Sequence, residues 1–519
     1  MQVFEIVIAL LLGGAGLAAV ARRIATPYPA LVAVAGAALA LWPRVPTLVL
    51  DPELALALFV APVLLDAAFD ASQRDLRVNW RPVTSLALGA VALTVVVVAL
   101  VAHALVPGMP WAAAIALGAI VAPPDAAAAT TVLKQLRPPH RLLVILEGES
   151  LFNDASALLV YRVAVGAAAT GFVSGWRLVP MVLFVTIGSV LLGLVLARVM
   201  MVSTAHIDDV ATAVIVQFCG TFAVWMLAER LHLSGILTMV IFAMAVSRRA
   251  AGIIPARVRV PSYAVWEVAV FVLNVLAFVL VGLQLRLIVT RLERAARIEY
   301  AWVAAAVCAA AILARIAWVM LAATRKSAGF SPRAAMLIGW CGMRGTVTLA
   351  AALALPVAFP HRDLILVTAF GVVLGTLVLQ GMTLRPLLTR LRLEDDGAVE
   401  REVRLARVET LRAALEASAE CPGAETAELV RRRYELLLRR AEAELASDGT
   451  AAESSEASEL WRELECDAEV VRAATAAERQ RLTAMRADGT IGDAAFQKIE
   501  QELDLEELDL DVVLRAEVR

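Results

Sequence analysis

Apolar runs of membrane-spanning length follow one another through the first three quarters of this chain. A helix needs about 20 mostly apolar residues to cross the hydrocarbon core of a bilayer, and roughly 13 segments meet that length. The chain is 60% hydrophobic over 519 residues, against about 45–50% apolar residues in soluble proteins. The sequence therefore predicts an all-α polytopic membrane protein. The predicted spans cover approximately 3–20, 27–43, 51–71, 81–106, 111–134, 141–169, 177–202, 207–229, 231–247, 261–288, 299–323, 332–356 and 361–389.

The charge balance changes near residue 390. Residues 391–519 hold 18 Lys and Arg against 32 Asp and Glu, a net charge of −14, whereas the preceding part is near +12. Apolar residues recur at spacings of three and four among the charges of this tail, which is typical of solvated helices. We expect a membrane domain at 1–390 and an acidic helical cytoplasmic domain at 391–519. A plain solvated appendage is the first interpretation of the tail, and a regulatory domain that senses a ligand is the second.

Basic residues are distributed unequally between the short loops on the two sides of the membrane. Alternate loops, beginning with Arg22-Arg23, hold about 16 Lys and Arg, and the opposite set holds about 8, and basic loops face the cytoplasm. An odd number of spans then places the N-terminus outside the cell membrane and the tail in the cytoplasm. The basic stretch 286–297 falls on the outer side. Its spacing suggests an amphipathic segment in the interface, although a missed span would also account for it.

Two of the predicted spans are interrupted by residues that break helices. The segment Val121-Ala-Pro-Pro-Asp125 interrupts the fifth span, and Gly339-Trp-Cys-Gly-Met-Arg344 interrupts the twelfth. Proline has no N–H, so carbonyls one turn earlier lose their partners, and only protein or a water-filled cavity can replace them. If spans 1–6 and 8–13 are two repeats, the interruptions fall at matching positions, and such a pair points to the substrate site of a transporter.

The sixth span carries a dense polar cluster, Glu147-Gly-Glu-Ser-Leu-Phe-Asn-Asp154. Charge within hydrocarbon is costly and marks a functional site by default. Ser150 and Asp154 are four residues apart and share one helix face, and Glu149 and Asn153 form a second such pair on the adjoining face. A carboxylate, a hydroxyl and freed carbonyls can bind a dehydrated monovalent cation. Because burial disfavours the charged form of a carboxylate, a proton can compete with that cation for Asp154.

Three further charged residues lie within predicted spans. Asp125 follows Pro124, where it can cap the next half-helix or contribute to an ion site. Asp66 in the third span is either a ligand or gate of that site or a structural acid. Arg344 is the obvious partner for a buried acid. We expect it to pair with Glu149, with Asp125 as the next choice.

With these motifs the chain resembles the monovalent cation:proton antiporter-1 family, the relatives of the eukaryotic sodium/hydrogen exchangers. The resemblance covers roughly residues 3–390. It rests on Gly148-Glu-Ser-Leu-Phe-Asn-Asp-Ala155, Arg344-Gly-Thr-Val-Thr-Leu-Ala350 and Pro123-Pro-Asp-Ala126. It implies a fold of 13 helices in two inverted six-helix repeats, with broken helices that cross in the core, and usually a homodimer.

The resemblance also implies roles for individual residues. Asp154 would be the carboxylate that cation and proton share, and Ser150, Asp125 and the backbone at Pro124 would complete the ion site. The pair Asn153-Asp154, in place of two aspartates, resembles the motif of the electroneutral branch of the family, which exchanges one cation for one proton.

Glu149 and Arg344 match a structural ion pair of the family, and two other positions depart from its pattern. The common Thr-Asp-Pro is here Pro124-Asp125-Ala126, and a frequent Glu in the third span is Asp66. Both departures bear on the coordination of the ion and on the preference between Na⁺ and K⁺.

The expected function is exchange of a monovalent cation, in first place Na⁺, for H⁺ across the cell (inner) membrane by alternating access. Exchange of K⁺ for H⁺ is the alternative, and a cation channel fits less well because matched broken helices favour alternating access. No G-x-S-x-G, H-E-x-x-H or P-loop motif supports an enzyme. We expect no cofactor and no nucleic acid partner, only the transported ions, the bilayer and a second copy of the chain.

Overall fold

The computed structural model is helical through most of the residues that it describes. These are 2–24, 26–40, 54, 56–136, 138–170, 175–207, 209–289, 294–324, 331–393, 395, 397–419, 425–446 and short pieces between 474 and 503. The chain divides into two compact units, Met1–Asp396 and Gly397–Arg519. The boundary lies a few residues beyond the change in charge.

The described part of the first unit contains helices and their connecting turns and no strand. Long apolar runs form helices because a helix bonds its own backbone groups internally, which hydrocarbon requires. The helices are α1 (Gln2–Ile24), α2 (Tyr28–Ala40), α3 (Ala61–Asp70, after a π-helical turn at Leu56–Val60), α4 (Gln73–Val78), α5 (Trp80–Leu105, with a π-helical turn at Ser85–Ala90), α6 (Trp111–Val121), α7 (Ala126–Leu136), α8 (His140–Thr170), α9 (Gly175–Thr204), α10 (Val210–Arg230), α11 (Gly235–Ile253), α12 (Ala256–Val289), α13 (Arg294–Thr324), α14 (Pro332–Trp340), α15 (Thr346–Leu353) and α16 (Arg362–Leu391).

Within the described residues, 6 helices are individually long and apolar enough to cross a membrane. They lie at Trp80–Leu105, Pro180–Thr204, Val210–Arg230, Ala256–Val279, Arg297–Thr324 and Arg362–Leu391. This agrees with the predicted class of multi-pass helical membrane protein. The total of 13 spans and the inverted repeats stay predictions. The basic stretch 286–297 falls on the end of α12, the start of α13 and residues 290–293, which lie outside the described part, so its interfacial position also stays a prediction.

Side chains at the start of several helices bond the free N–H groups of the first turn, as capping residues do. Ser234 Oγ accepts from Leu237 N at 3.2 Å before α11, and Ser331 Oγ accepts from Ala334 N at 3.2 Å before α14. Asp209 does the same for Thr212 before α10, at 2.8 Å. The backbone and side-chain hydrogen bonds from Thr212 hold the pKa of Asp209 below its ordinary value.

Small residues allow the helices of the first unit to pack closely around α8, which contacts α6, α7 and the start of α5. On α6, Gly118 and four alanines are buried, namely Ala113, Ala114, Ala116 and Ala119. A Cβ added at Gly118 would lie 2.6 Å from Val95 O on α5. The backbones of α5 and α6 therefore touch at a point where only glycine fits.

The second unit contains an antiparallel pair of helices, α17 (Ala398–Ala419) and α18 (Glu425–Ala446). Val408 and Ala441 are buried, and Arg412 on α17 donates to Glu442 on α18 at 2.8 Å. The predicted helical character of the tail is present in these described residues.

Replacing Gly118 with Ala tests the close approach of α5 and α6. The added methyl must push a backbone carbonyl away, and overpacking of this kind costs about 1–3 kcal/mol. We expect a lower midpoint of thermal unfolding for Gly118→Ala, measured by tryptophan fluorescence in detergent. Gly16→Ala on α1 is the matched control, because nothing lies within 4 Å of a Cβ there. Equal stability of the two variants would contradict the packing.

Candidate functional site

The two interrupted segments meet in the interior of the first unit. Asp125 N–H, between α6 and α7, donates to Met343 O, between α14 and α15, at 2.7 Å. Residues 121–124 and 341–345 are all buried. Buried backbone groups that leave a helix must find other partners, so the crossing requires donors and acceptors from outside the helices themselves.

Arg344 supplies donors to carbonyls at this crossing. Its Nε donates to Val121 O, at the end of α6, and its Nη1 donates to Gly342 O, just beyond α14. Its own backbone N–H donates to Thr376 Oγ1 on α16 at 3.0 Å. A cation near the C-terminal end of a helix is stabilised by the helix dipole. The buried guanidinium is therefore held by the ends of two half-helices.

Whereas Arg344 lies at the C-terminal ends of helices, Asp125 lies at the N-terminal end of α15. A Cβ added at Gly345, the residue before α15, would lie 1.8 Å from Asp125 Oδ2. The carboxylate thus occupies space that glycine leaves open. A negative charge at the N-terminal end of a helix is favourable. Asp125 and Arg344 therefore each lie at the end of a half-helix that belongs to the other interrupted segment.

Two of the predicted polar residues on α8 hold the first interruption in place. Asn153 Nδ2 donates to Pro124 O at 3.0 Å, and Ser150 Oγ accepts from Ala126 N at 3.3 Å. Asn153 is fully buried, and its Oδ1 has no hydrogen-bond partner among the described residues. An amide oxygen in that position can accept a bond from a water or bind a cation.

Asp154 lies beside these contacts and is buried, with 6% of its surface exposed. It is within electrostatic range of Asp125. No basic side chain in the described part of the chain forms an ion pair with it. A buried carboxylate without a counter-charge is costly unless it binds a proton or a cation. Asp154 is therefore suited to bind one or the other.

Glu149 has a different partner from the predicted one. Its Oε1 and Oε2 accept from Nη1 and Nη2 of Arg315 on α13, the second bond at 2.8 Å. Arg315 Nη2 also donates to Ile338 O on α14 at 3.1 Å. The predicted pairing of Glu149 with Arg344 is wrong, because Arg344 bonds carbonyls instead and a bidentate guanidinium already satisfies the carboxylate.

A sequence signal for Arg315 exists, since it is an arginine in the middle of the predicted eleventh span, where a charge needs a partner. On that basis, both Arg315 and Arg344 are candidate partners of Glu149. Which of them pairs with Glu149 depends on how the helices pack, and residue spacing along one helix carries no information about that packing. Glu147 lies near the start of α8 within 3.5 Å of Lys134.

Asp66 lies in the wall of a cavity of about 1010 Å³ that Asp70, Tyr28 and Asn274 also line. The Tyr28 hydroxyl bonds to Asn274 and is within electrostatic range of Asp125. The structure therefore places Asp66 in the wall of a cavity that is also lined by Tyr28, a residue within electrostatic range of Asp125. Nothing in the sequence marks Tyr28 and Asn274 as its neighbours.

Residues 6–390 match the sequence profile of the family described as sodium/hydrogen exchanger, transmembrane. The chain belongs to the sodium/hydrogen exchanger family. It is 30% identical to a Na⁺/H⁺ exchanger of Mycobacterium tuberculosis, itself uncharacterized, over 93% of this chain and 91% of that protein. It is 29% identical to the sodium, potassium, lithium and rubidium/H⁺ antiporter of Bacillus pumilus, over 85% of this chain and 72% of that protein.

The fold is similar to that of the sodium proton antiporter of Methanocaldococcus jannaschii. The TM-score is 0.62 at 18% identity, over 75% of this chain and 99% of that one. Membership of the exchanger family confirms the predicted resemblance and identifies a multi-pass membrane transporter of the cation/proton antiporter class, not an enzyme. The acidic tail lies beyond residues 6–390, which match the family profile.

The Glu149–Arg315 contact can be tested by a double-mutant cycle. Removing one member of a buried ion pair costs about 3–5 kcal/mol, because the other charge is left uncompensated. We expect Glu149→Gln and Arg315→Met to lower the free energy of unfolding in an SDS titration, and the double variant to lose clearly less than the sum. In the matched cycle of Glu149→Gln with Arg344→Met, the losses in free energy of unfolding of the two single variants should add more nearly to that of the double variant. A larger coupling to Arg344 than to Arg315 would contradict the structure.

Proposed function

We propose that this exchanger transports one Na⁺ in exchange for one H⁺ by alternating access, and that both ions bind in turn to Asp154. The observation that carries the proposal is the position of Asp154. It is a buried carboxylate at the crossing of the interrupted helices, and it has no ion-pair partner among the described residues.

The other charges at the crossing have fixed compensation. Glu149 and Arg315 neutralise each other through two hydrogen bonds. Arg344 lies at helix C-terminal ends and Asp125 at a helix N-terminal end, where the dipoles stabilise those charges. One acidic group therefore remains to be neutralised by a mobile ion, which supports exchange of one cation for one proton.

The oxygen atoms near Asp154 suit a monovalent cation. We assign Asp154, Ser150 and Asp125 as side-chain ligands, with the free Oδ1 of Asn153 and the Pro124 carbonyl beside them. Asp66 in the cavity wall would attract cations toward this site, because clefts lined by one sign of charge raise the local concentration of the opposite ion. No cofactor is needed for this exchange.

K⁺/H⁺ exchange is the second candidate. The names of the relatives in Bacillus pumilus and Bacillus subtilis include sodium, potassium, lithium and rubidium. A cation channel is a weaker candidate, because two interrupted helices that meet at one buried acid suit a site exposed to one side at a time. We further propose a homodimer in the cell membrane, with the N-terminus outside and the acidic tail in the cytoplasm.

Asp154→Asn tests the exchange mechanism. The amide cannot release a proton, so we expect this variant to insert normally and to lose exchange with Na⁺, K⁺ and Li⁺. The assay adds each cation to everted vesicles that carry a pH gradient and follows a pH-sensitive dye. Asp363→Asn is the matched control, since Asp363 is exposed in the first turn of α16, and it should keep wild-type exchange. Cation-dependent proton release by Asp154→Asn would disprove the mechanism.

A further inference from the structure

A long groove of about 1430 Å³ runs along α8. Residues of α5 and α8 form one wall, and residues of α9, α10 and α11 form the other. Its volume exceeds the roughly 300–1,000 Å³ of ordinary small-molecule pockets. Leu88 and Met226, one on each wall, are 55% and 50% exposed, so the groove is open at the side of the helices.

The length of the groove along α8 is similar to the thickness of the hydrocarbon core of a membrane. Near the start of α8, Arg141 Nε donates to Asn79 Oδ1 at 2.9 Å, close to the end of the groove at Arg77. Near the other end, Arg162 Nη2 donates to Glu229 at 2.8 Å. At 1.5 Å per residue, α8 rises about 30 Å between these two arginines, which is the thickness of the hydrocarbon core.

The two ends of the groove differ in charge. At one end lie Arg77 and Trp80, with the Arg81 guanidinium 5.6 Å from the Trp80 ring. Both arginines are exposed, and neither has an acidic partner among the described residues. At the other end, Glu229 binds Arg162 through both of its oxygens, at 2.8 and 2.9 Å. Arg230 also lines this end, which therefore carries one positive charge beyond the Arg162–Glu229 pair, against two at the end with Arg77 and Arg81.

We propose that this groove binds an anionic phospholipid, with the phosphate at Arg77 and Arg81 and the acyl chains along the apolar wall. Guanidinium groups bind phosphate oxygens with strong, directed hydrogen bonds, and tryptophan favours the level of the lipid headgroups. A small soluble anion would leave the apolar wall uncovered. The acyl chains would contact both walls, one of which is formed in part by α8, the helix that carries Asp154.

Native mass spectrometry of the purified full-length protein tests the proposal. Phosphatidylglycerol and phosphatidylcholine with identical acyl chains are added in separate samples, and the retained lipid is counted. We expect the wild type to retain at least one phosphatidylglycerol under conditions that remove phosphatidylcholine. The variant Arg77→Gln/Arg81→Gln should bind phosphatidylglycerol about tenfold less tightly, since each basic residue near an anionic lipid contributes to binding.

Two further variants distinguish lipid that binds in the groove from lipid that contacts the protein non-specifically. Arg230→Gln removes a positive charge at the opposite end of the same groove and should retain phosphatidylglycerol as the wild type does. Leu88→Trp keeps the charges, narrows the apolar wall and should weaken retention. Phosphatidylglycerol should also raise the unfolding temperature of the wild type more than that of Arg77→Gln/Arg81→Gln. Equal retention of the two lipids by the wild type, or unchanged retention in Arg77→Gln/Arg81→Gln or Leu88→Trp, would overturn the proposal.

Discussion

The contact between the two interrupted helices determines the arrangement of the first unit. A helix that stops inside the protein leaves backbone carbonyls and N–H groups without partners, and hydrocarbon offers none. Here each interrupted segment supplies what the other lacks: Arg344 bonds Val121 O, and Met343 O accepts from Asp125 N–H. Neither segment would be stable alone. The crossing therefore fixes the relative positions of α6, α7, α14 and α15.

The same crossing explains why so many charges can be buried together. Each fixed charge has a partner that does not move with the transported ion: Arg315 for Glu149, and helix ends for Arg344 and Asp125. The opposite helix ends that meet here provide both signs of partial charge. Asp154 differs because it has no such partner in the described part of the chain. In the proposed mechanism, this difference leaves Asp154 as the group that a cation or a proton neutralises.

Much of this arrangement could be predicted from the sequence. The helices follow the apolar runs, and both interruptions fall where Pro and Gly place them, because these properties depend on neighbouring residues in the chain. The family follows from motifs of the same local kind. The partner of Glu149 could not be predicted, since Arg315 and Arg344 are equally suitable by type and only the three-dimensional packing of the helices brings Arg315 to Glu149. The cavity that holds Asp66 with Tyr28 and Asn274 depends on packing in the same way.

In the proposed mechanism, a single carboxylate, Asp154, binds either a cation or a proton. The most direct test measures the affinity of the purified protein for Na⁺ by calorimetry over a range of pH. Competition between one cation and one proton predicts that, at low pH, the apparent Kd rises about tenfold for each unit of pH decrease. One proton should be released for each Na⁺ bound. An affinity that does not change with pH, or a slope of two protons per cation, would contradict the account.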